Sequence, residues 1–301
     1  MKKSALLFSI FIIIAGCTGN SENLKEKQKP LVVVSLYPLY DFAKNVAGDK
    51  ADVLILVPPG LNSHLYEPTP MDIILLQKAD ILFLNGAGFE TWAPKTIEGL
   101  QNQNLLIVDS SKHITLERVL NGSTILIDPH LWLSPKNAMI QVKLIADALI
   151  QKDPENKNYY LQNAEKYIQE LSKLDSRLTK TLSTCKKREM FVSHAAFGYF
   201  ARDYGLRQIP IIPYFEPVGE VSLRDIELLV RAAKEYNATH IFFEEFISPK
   251  ASEVIAKEIN GHTAVFSPME AYRKEDIDLG NGYLYYMDKN RETLAQALGC
   301  S

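Results

Sequence analysis

The stretch that most limits how this chain can fold is a helical rod in its middle. Asp153-Pro154 opens it, a helix-starting pair. From there to about Thr184, apolar or aromatic residues recur at Tyr160, Ala164, Tyr167, Ile168, Leu171, Leu174 and Leu178. Gaps of three and four residues place all of them on one stripe of a helix. Roughly 30 residues at 1.5 Å each make a rod about 45 Å long. Ser134-Pro135 opens another helix reaching about Gln151, so no flexible linker divides the chain here. Whatever stands at either end is joined stiffly, and hinge closure should be small.

Before the rod, short β-rich runs alternate with helical patterns. Leu31–Val34, Asp52–Val57, Ile81–Leu84 and Leu105–Val108 are compact and rich in Val, Ile and Leu, as strands buried on both faces are. Between them lie helix-like stretches at Leu39–Ala47, Met71–Lys78 and Thr91–Gly99. After the rod the rhythm returns. Strand candidates are Phe191-Val192, Ile209–Ile212, Ile241–Phe243 and Ala264–Phe266; helix starts are marked by Ser222 and Ser248-Pro249, and a last helix spans about Gly282 to Leu298. Strand–helix alternation implies an open α/β sheet. The expected layout is an N-terminal α/β lobe over 31–152, the linking helix over 153–185 and a C-terminal α/β lobe over 186–301. A length of 301 residues suits two lobes, at about 100–200 residues per domain.

With 47% hydrophobic and 23% charged residues, the chain lies far from the signature of disorder. Its formal charge of −3 argues against a nucleic-acid partner, which needs a basic footprint. The N-terminus is informative about compartment. Lys2 and Lys3 precede an apolar run from Ala5 to Ile14 interrupted only by Ser9, too short to span a bilayer, which takes about 20 residues. Residues 1–16 therefore read as a secretory signal peptide. Ile14-Ala15-Gly16-Cys17 resembles the bacterial lipobox, in which cleavage leaves the cysteine as a lipid-modified N-terminus. Residues 17–30, polar and charged, read as a flexible tether. The expected location is extracytoplasmic, on the periplasmic or cell-surface face of a membrane, anchored by lipid on Cys17. Cys185 and Cys300 are left to pair as a disulfide or to stay as buried thiols.

Six histidines divide into two groups. His64 lies in a loop with Pro58, Pro59 and Gly60 after a strand candidate; His130 follows the apolar run Ile125–Ile127; His194 lies between a strand candidate and a helix. Ligands of open α/β sheets bind outside the carboxyl ends of the strands. Three imidazoles from three such places can converge between two lobes. For any one of them a capping or core role competes with metal ligation. His113, His240 and His262 lack this setting and read as structural or surface residues.

The surrounding residues carry a family resemblance. Asn62-Ser-His64-Leu-Tyr-Glu-Pro-Thr-Pro70, Asp128-Pro-His130-Leu-Trp-Leu-Ser134 and Val192-Ser-His194-Ala-Ala-Phe-Gly-Tyr-Phe200 resemble the histidine motifs of zinc/manganese-binding solute-binding lipoproteins of ABC transporters. Glu244 with Ser248-Pro249-Lys250 and the pattern Tyr283 to Asn290 also fit, so the resemblance runs from about Leu31 to Leu298. It implies two (β/α)4-type lobes joined by a long rigid backbone helix, with one metal held between them.

The fourth ligand is less plain. Many members place an aspartate before a proline near the last strand, where this chain has Ser267. It is similar instead to the zinc-binding branch, in which the glutamate of a Pro-Leu-Glu motif completes the site; Pro268-Met-Glu270 would supply it. Glu220, in Gly219-Glu-Val-Ser222, is the alternative, with helix-start electrostatics as its competing role. Three imidazoles and one carboxylate suit tetrahedral Zn²⁺, whereas Mn²⁺ prefers more oxygen. The histidine-rich loop of some zinc members is missing, since Ser110 to Thr124 holds only His113.

The resemblance implies a monomer that captures Zn²⁺, with Mn²⁺ as the second choice, and delivers it to a membrane permease and cytoplasmic ATPase. No catalysis is expected. The competing readings are a manganese importer component, a metal-binding adhesin, and a secreted zinc hydrolase using Glu220 or Glu270 as general base beside a bound water. No His-Glu-x-x-His helix supports the last of these. Since imidazole must be neutral to ligate, metal affinity should fall as pH drops through about 6.5.

Overall fold

The computed structural model describes residues 29–121, 124–215 and 221–301. The signal segment 1–16, Cys17 with nearly all of the tether, and Glu220 lie outside the described residues. The tether's last residue belongs to the folded part. Pro30 is buried, and its carbonyl accepts a hydrogen bond from the Asp52 amide, so folded chain begins one residue or more ahead of 31.

The first sheet contains β1 (Leu31–Val34), β2 (Asp52–Ile55), β3 (Ile81–Leu84) and β4 (Leu106–Asp109), all parallel, in the order β2-β1-β3-β4. Helices α1 (Tyr37–Ala47), α2 (Pro70–Lys78) and α3 (Ala93–Gly99) make its connections. Proline opens all three, a placement that uses an amide position the helix leaves unpaired. Thr69 and Asp72 add a reciprocal capping box at the start of α2.

The second sheet holds β7 (Glu189–His194), β8 (Arg207–Ile212), β9 (His240–Phe243) and β10 (His262–Val265), again parallel, in the order β10-β9-β7-β8. Helices α6 (Gly198–Tyr204), α7 (Leu223–Glu235) and α8 (Lys250–Glu258) connect it. Read from its own first strand, this order repeats that of the first sheet, so the two α/β lobes share one topology. In each, the chain reverses direction across the sheet beside the first strand, where a crevice opens at the carboxyl ends.

Two helices run between the lobes, α4 (Pro135–Lys152) and α5 (Lys157–Ser183). A short 3₁₀ turn over Pro154–Asn156 precedes α5, so the rod proper has 27 residues, about 40 Å. Its buried face is Tyr160, Ala164, Tyr167, Leu171, Leu174, Leu178 and Leu182. These side chains join a core that includes Val32 and Phe42 of the first lobe and Met190, Phe200 and Leu294 of the second. The lobes therefore share one large hydrophobic cluster along the rod, while each keeps a smaller cluster of its own on the far face of its sheet, around Leu82 in the first and Ile241 in the second. Helices α9 (Lys274–Leu279) and α10 (Tyr283–Leu298) close the chain, and α10 packs on α5. Cys185, just beyond α5, and Cys300, just beyond α10, form a disulfide spanning 115 residues.

The segment before His130 departs from the sequence expectation. The run before His130 is β6 (Thr124–Ile127), which pairs antiparallel with β5 (Arg118–Asn121) in a separate ribbon. In the sequence, Asn121-Gly122 at the end of β5 is a hairpin signal, since both residue types are common in tight turns.

Candidate metal site

Each candidate ligand is placed by a local device. His64 sits on a 3₁₀ turn, Ser63–Leu65, after the loop that leaves β2; the Asn62 side-chain oxygen accepts its backbone N–H at 2.8 Å. His130 follows the ribbon, with its backbone N–H and Nδ1 both bonded to Asp128 Oδ1, at 2.9 and 2.8 Å. His194 is the last residue of β7, and its Nδ1 meets Glu244 Oε1 at 2.6 Å. Glu244 directly follows β9, so this pair bridges the two strands at the reversal point of the second sheet.

Glu270 follows β10 in a segment held by the first lobe. The Ser63 amide (3.3 Å) and hydroxyl both donate to its carbonyl, Trp132 Nε1 donates to the Pro268 carbonyl at 2.7 Å, and the Gly60 amide donates to the Tyr272 carbonyl at 2.8 Å. The preceding Met269 has φ of +59°, a left-handed conformation that costs a non-glycine residue about 1 kcal/mol or more. Surrounding bonds hold that backbone in place.

The four side chains meet. Glu270 Oε1 lies 3.3 Å from His64 Nε2 and 3.1 Å from both His130 Nε2 and His194 Nε2. His130 Nε2 is 3.2 Å from His64 Nε2 and 3.3 Å from His194 Nε2. A tetrahedron with vertices about 2.0 Å from its centre has edges of about 3.3 Å, so these five edges suit one small cation. The sixth, between His64 and His194, is the wide side: their rings are 6.0 Å apart, against 5.2 Å for the other two pairs. Among the described residues this is the group that could hold a metal ion.

Burial makes the electrostatics strong. His130 and His194 are fully buried and Glu270 is 3% exposed. For His194, burial disfavours the charged ring, but the Glu270 and Glu244 carboxylates outweigh it and raise its pKa to about 10. His130 is likewise raised despite burial, by Asp128 and Glu270. Burial pushes Glu270 up, but the facing imidazoles win and hold it well below the usual carboxylate range. Glu244, desolvated, stays above that range. With no metal bound, these directions favour protonated imidazole facing an ionised Glu270.

Carboxylates behind His130 and His194 take the Nδ1–H of each ring, so that Nε2 faces the cluster and offers its lone pair once it gives up its proton. They also supply negative charge that offsets a bound dication. Asp128 and Glu244 lie inside the motifs of the resemblance, where the sequence alone gives neither a ligand-orienting role. Aspartate two residues before His130 was a readable signal; the partner of His194 lies 50 residues away and was not. Phe89 completes the wall, its ring 4.5 Å from that of His64. The loop carrying it turns at Gly86 (φ +84°), where a Cβ would meet the Asp109 carboxylate, and is tied by Glu90, which accepts from the Asn85 and Gly86 amides. A cleft of about 300 Å³, lined by Asn62, Leu65, Glu244, Glu245, Phe246 and Glu270, opens beside the cluster.

The other histidines stay apart. His113 is exposed on a 3₁₀ turn. His240 and His262 open β9 and β10, rings 5.6 Å apart, at the end of the sheet opposite the cluster. Among the described residues, no helix is long and apolar enough to cross a membrane.

Comparison with known proteins extends these observations. The family described as "Zinc-uptake complex component A periplasmic" matches residues 32–297. The high-affinity zinc uptake system protein ZnuA of Bacillus subtilis is 36% identical, over 99% of this chain and 98% of that protein. Zinc-binding protein AdcA of Streptococcus pyogenes serotype M18 is 34% identical over 98% of this chain, which spans only 61% of AdcA's length. The Zn(II)-bound ZnuA-like domain of Streptococcus pneumoniae AdcA superposes with a TM-score of 0.78 at 34% identity, covering 90% of this chain and 99% of the domain.

Proposed function

Because this chain belongs to the periplasmic zinc-uptake component A family, we propose that it captures Zn²⁺ outside the cytoplasm through His64, His130, His194 and Glu270 and delivers it to an ABC importer. It is a zinc-binding component of such an uptake system; the residue assignment is our reading. What supports that reading is the convergence of three Nε2 atoms and Glu270 Oε1 at edges of 3.1–3.3 Å. Nitrogen-rich coordination with one carboxylate oxygen suits zinc over manganese. Four protein donors leave no vertex for the water a hydrolase would activate, which favours capture over chemistry.

In this reading residues 31–152 and 186–301 are the lobes and 153–185 the link. The mature chain is a monomer held to the membrane by lipid on Cys17, and it docks on a permease driven by a cytoplasmic ATPase. Cleavage and lipidation at Cys17 predict that Cys17→Ala shifts the protein from the membrane to the soluble fraction.

The deciding experiment is the metal content of protein purified without added metal. Wild type should carry one zinc per chain, and the combined His64→Ala, His130→Ala, His194→Ala variant almost none. Stoichiometric zinc in that variant would place the site elsewhere.

A further inference from the structure

We propose that Asn62 is a specificity-determining residue: its side-chain amide holds the second oxygen of Glu270 away from the metal, so that the carboxylate gives one oxygen and the site stays four-coordinate. The proposal rests on the zinc-site reading above and concerns how that site selects its cation.

The two oxygens of Glu270 have different surroundings. Oε1 faces all three imidazoles at 3.1–3.3 Å, while Oε2 faces Asn62 Nδ2 at 3.5 Å. Asn62 is itself fixed, because its Oδ1 accepts the backbone N–H of His64 at 2.8 Å. One amide thus joins the turn that presents His64 to the carboxylate that opposes it. The next residue strengthens the link, since the Ser63 amide and hydroxyl both bond the Glu270 carbonyl. Main chain and side chain of Glu270 are therefore both oriented by the Asn62-Ser63 pair of the other lobe.

The chemical consequence is selectivity. A carboxylate free to turn can bind a cation through both oxygens, which raises coordination number and oxygen content. Mn²⁺ gains from that change, and Zn²⁺, satisfied by four N/O donors, gains little. Holding Oε2 on an amide removes the option. Asn62 touches no metal; it acts through Glu270.

The test uses the mature full-length chain and the variants Asn62→Ala and Asn62→Ser. Serine retains an oxygen to cap the His64 turn but cannot reach Glu270, so it separates the two roles of Asn62. Dissociation constants for Zn²⁺ and Mn²⁺ would be measured by competition, and visible spectra recorded with Co²⁺, whose bands are intense in tetrahedral sites and weak at higher coordination. Both variants should lower the Zn²⁺-to-Mn²⁺ affinity ratio by about threefold or more, less than a short hydrogen bond to a charged group would give because this contact is long, and weaken the Co²⁺ bands. An unchanged ratio and spectrum in Asn62→Ser overturns the proposal, and an effect confined to Asn62→Ala assigns Asn62 to capping alone and overturns it too. Failure of the wild type itself to bind zinc would sink the site assignment first, and this proposal with it.

Discussion

Glu244 Oε1 lies 2.6 Å from Nδ1 of His194, on the side of the ring away from the nitrogen that faces Glu270. The two residues are 50 positions apart and meet because β7 and β9 are neighbours in the sheet. Removing the carboxylate in Glu244→Ala would free the ring to rotate and leave a buried N–H without an acceptor. Zinc affinity should fall about 10- to 100-fold, the usual cost of losing such a partner. Chelator competition measures it, and an affinity within twofold of wild type would show that packing alone orients His194.

The same relationship sets the pH dependence. His194 is raised to about 10 in the metal-free protein, so its ring is protonated at pH 7.5 and neutral when it ligates. The sign follows: binding expels the proton, and affinity rises with pH up to about 10 instead of levelling just above 6.5, where an ordinary imidazole would stop. Calorimetry in buffers of different ionisation enthalpy at pH 7.5 should count about one proton or more released per zinc. Zero release would mean that His194 is already neutral in the metal-free site.

Legibility of the chain follows from how local each signal is. Leu31–Val34 and Ile81–Leu84 were readable to the residue because strands buried on both faces are continuous apolar runs. The stripe from Tyr160 to Leu178 was readable because helical spacing repeats within it. The three histidines were readable through their flanking motifs. The rest had either a short local cue, the Asn121-Gly122 dipeptide at the end of β5, or no local cue at all. The Trp132–Pro268 hydrogen bond, the Asn62–Glu270 contact and the repeated strand order exist only once distant segments have packed.

The bridge between Cys185 and Cys300 should matter for stability and not for metal binding. It lies where β7 begins, whereas the ligands lie where β7 ends. Closing a loop of this size contributes up to about 5 kcal/mol in the chain-entropy treatment. At about 2–4 °C per kcal/mol for a protein this large, Cys300→Ser should lower the unfolding midpoint by several degrees, up to about 10–20 °C. Zinc stoichiometry in the folded variant should stay at one per chain. A lost zinc with an unmoved midpoint would reverse the assignment.

Leu174 tests whether the rod is a shared interior or a mere connector. It is fully buried in α5, within a cluster that draws Phe42 from one lobe and Leu294 from the other. Leu174→Ala would leave a cavity the neighbouring side chains fill only in part, costing about 3 kcal/mol within a usual range of 2–5. If both lobes lean on this core, calorimetry should show a single transition, displaced as a whole to lower temperature. Adding zinc should then raise the midpoint of variant and wild type alike, since the ion binds the folded state. Two transitions with only one displaced would mean that the lobes unfold separately, and the stiffness ascribed to the rod would have to come from the loops around Glu270 instead.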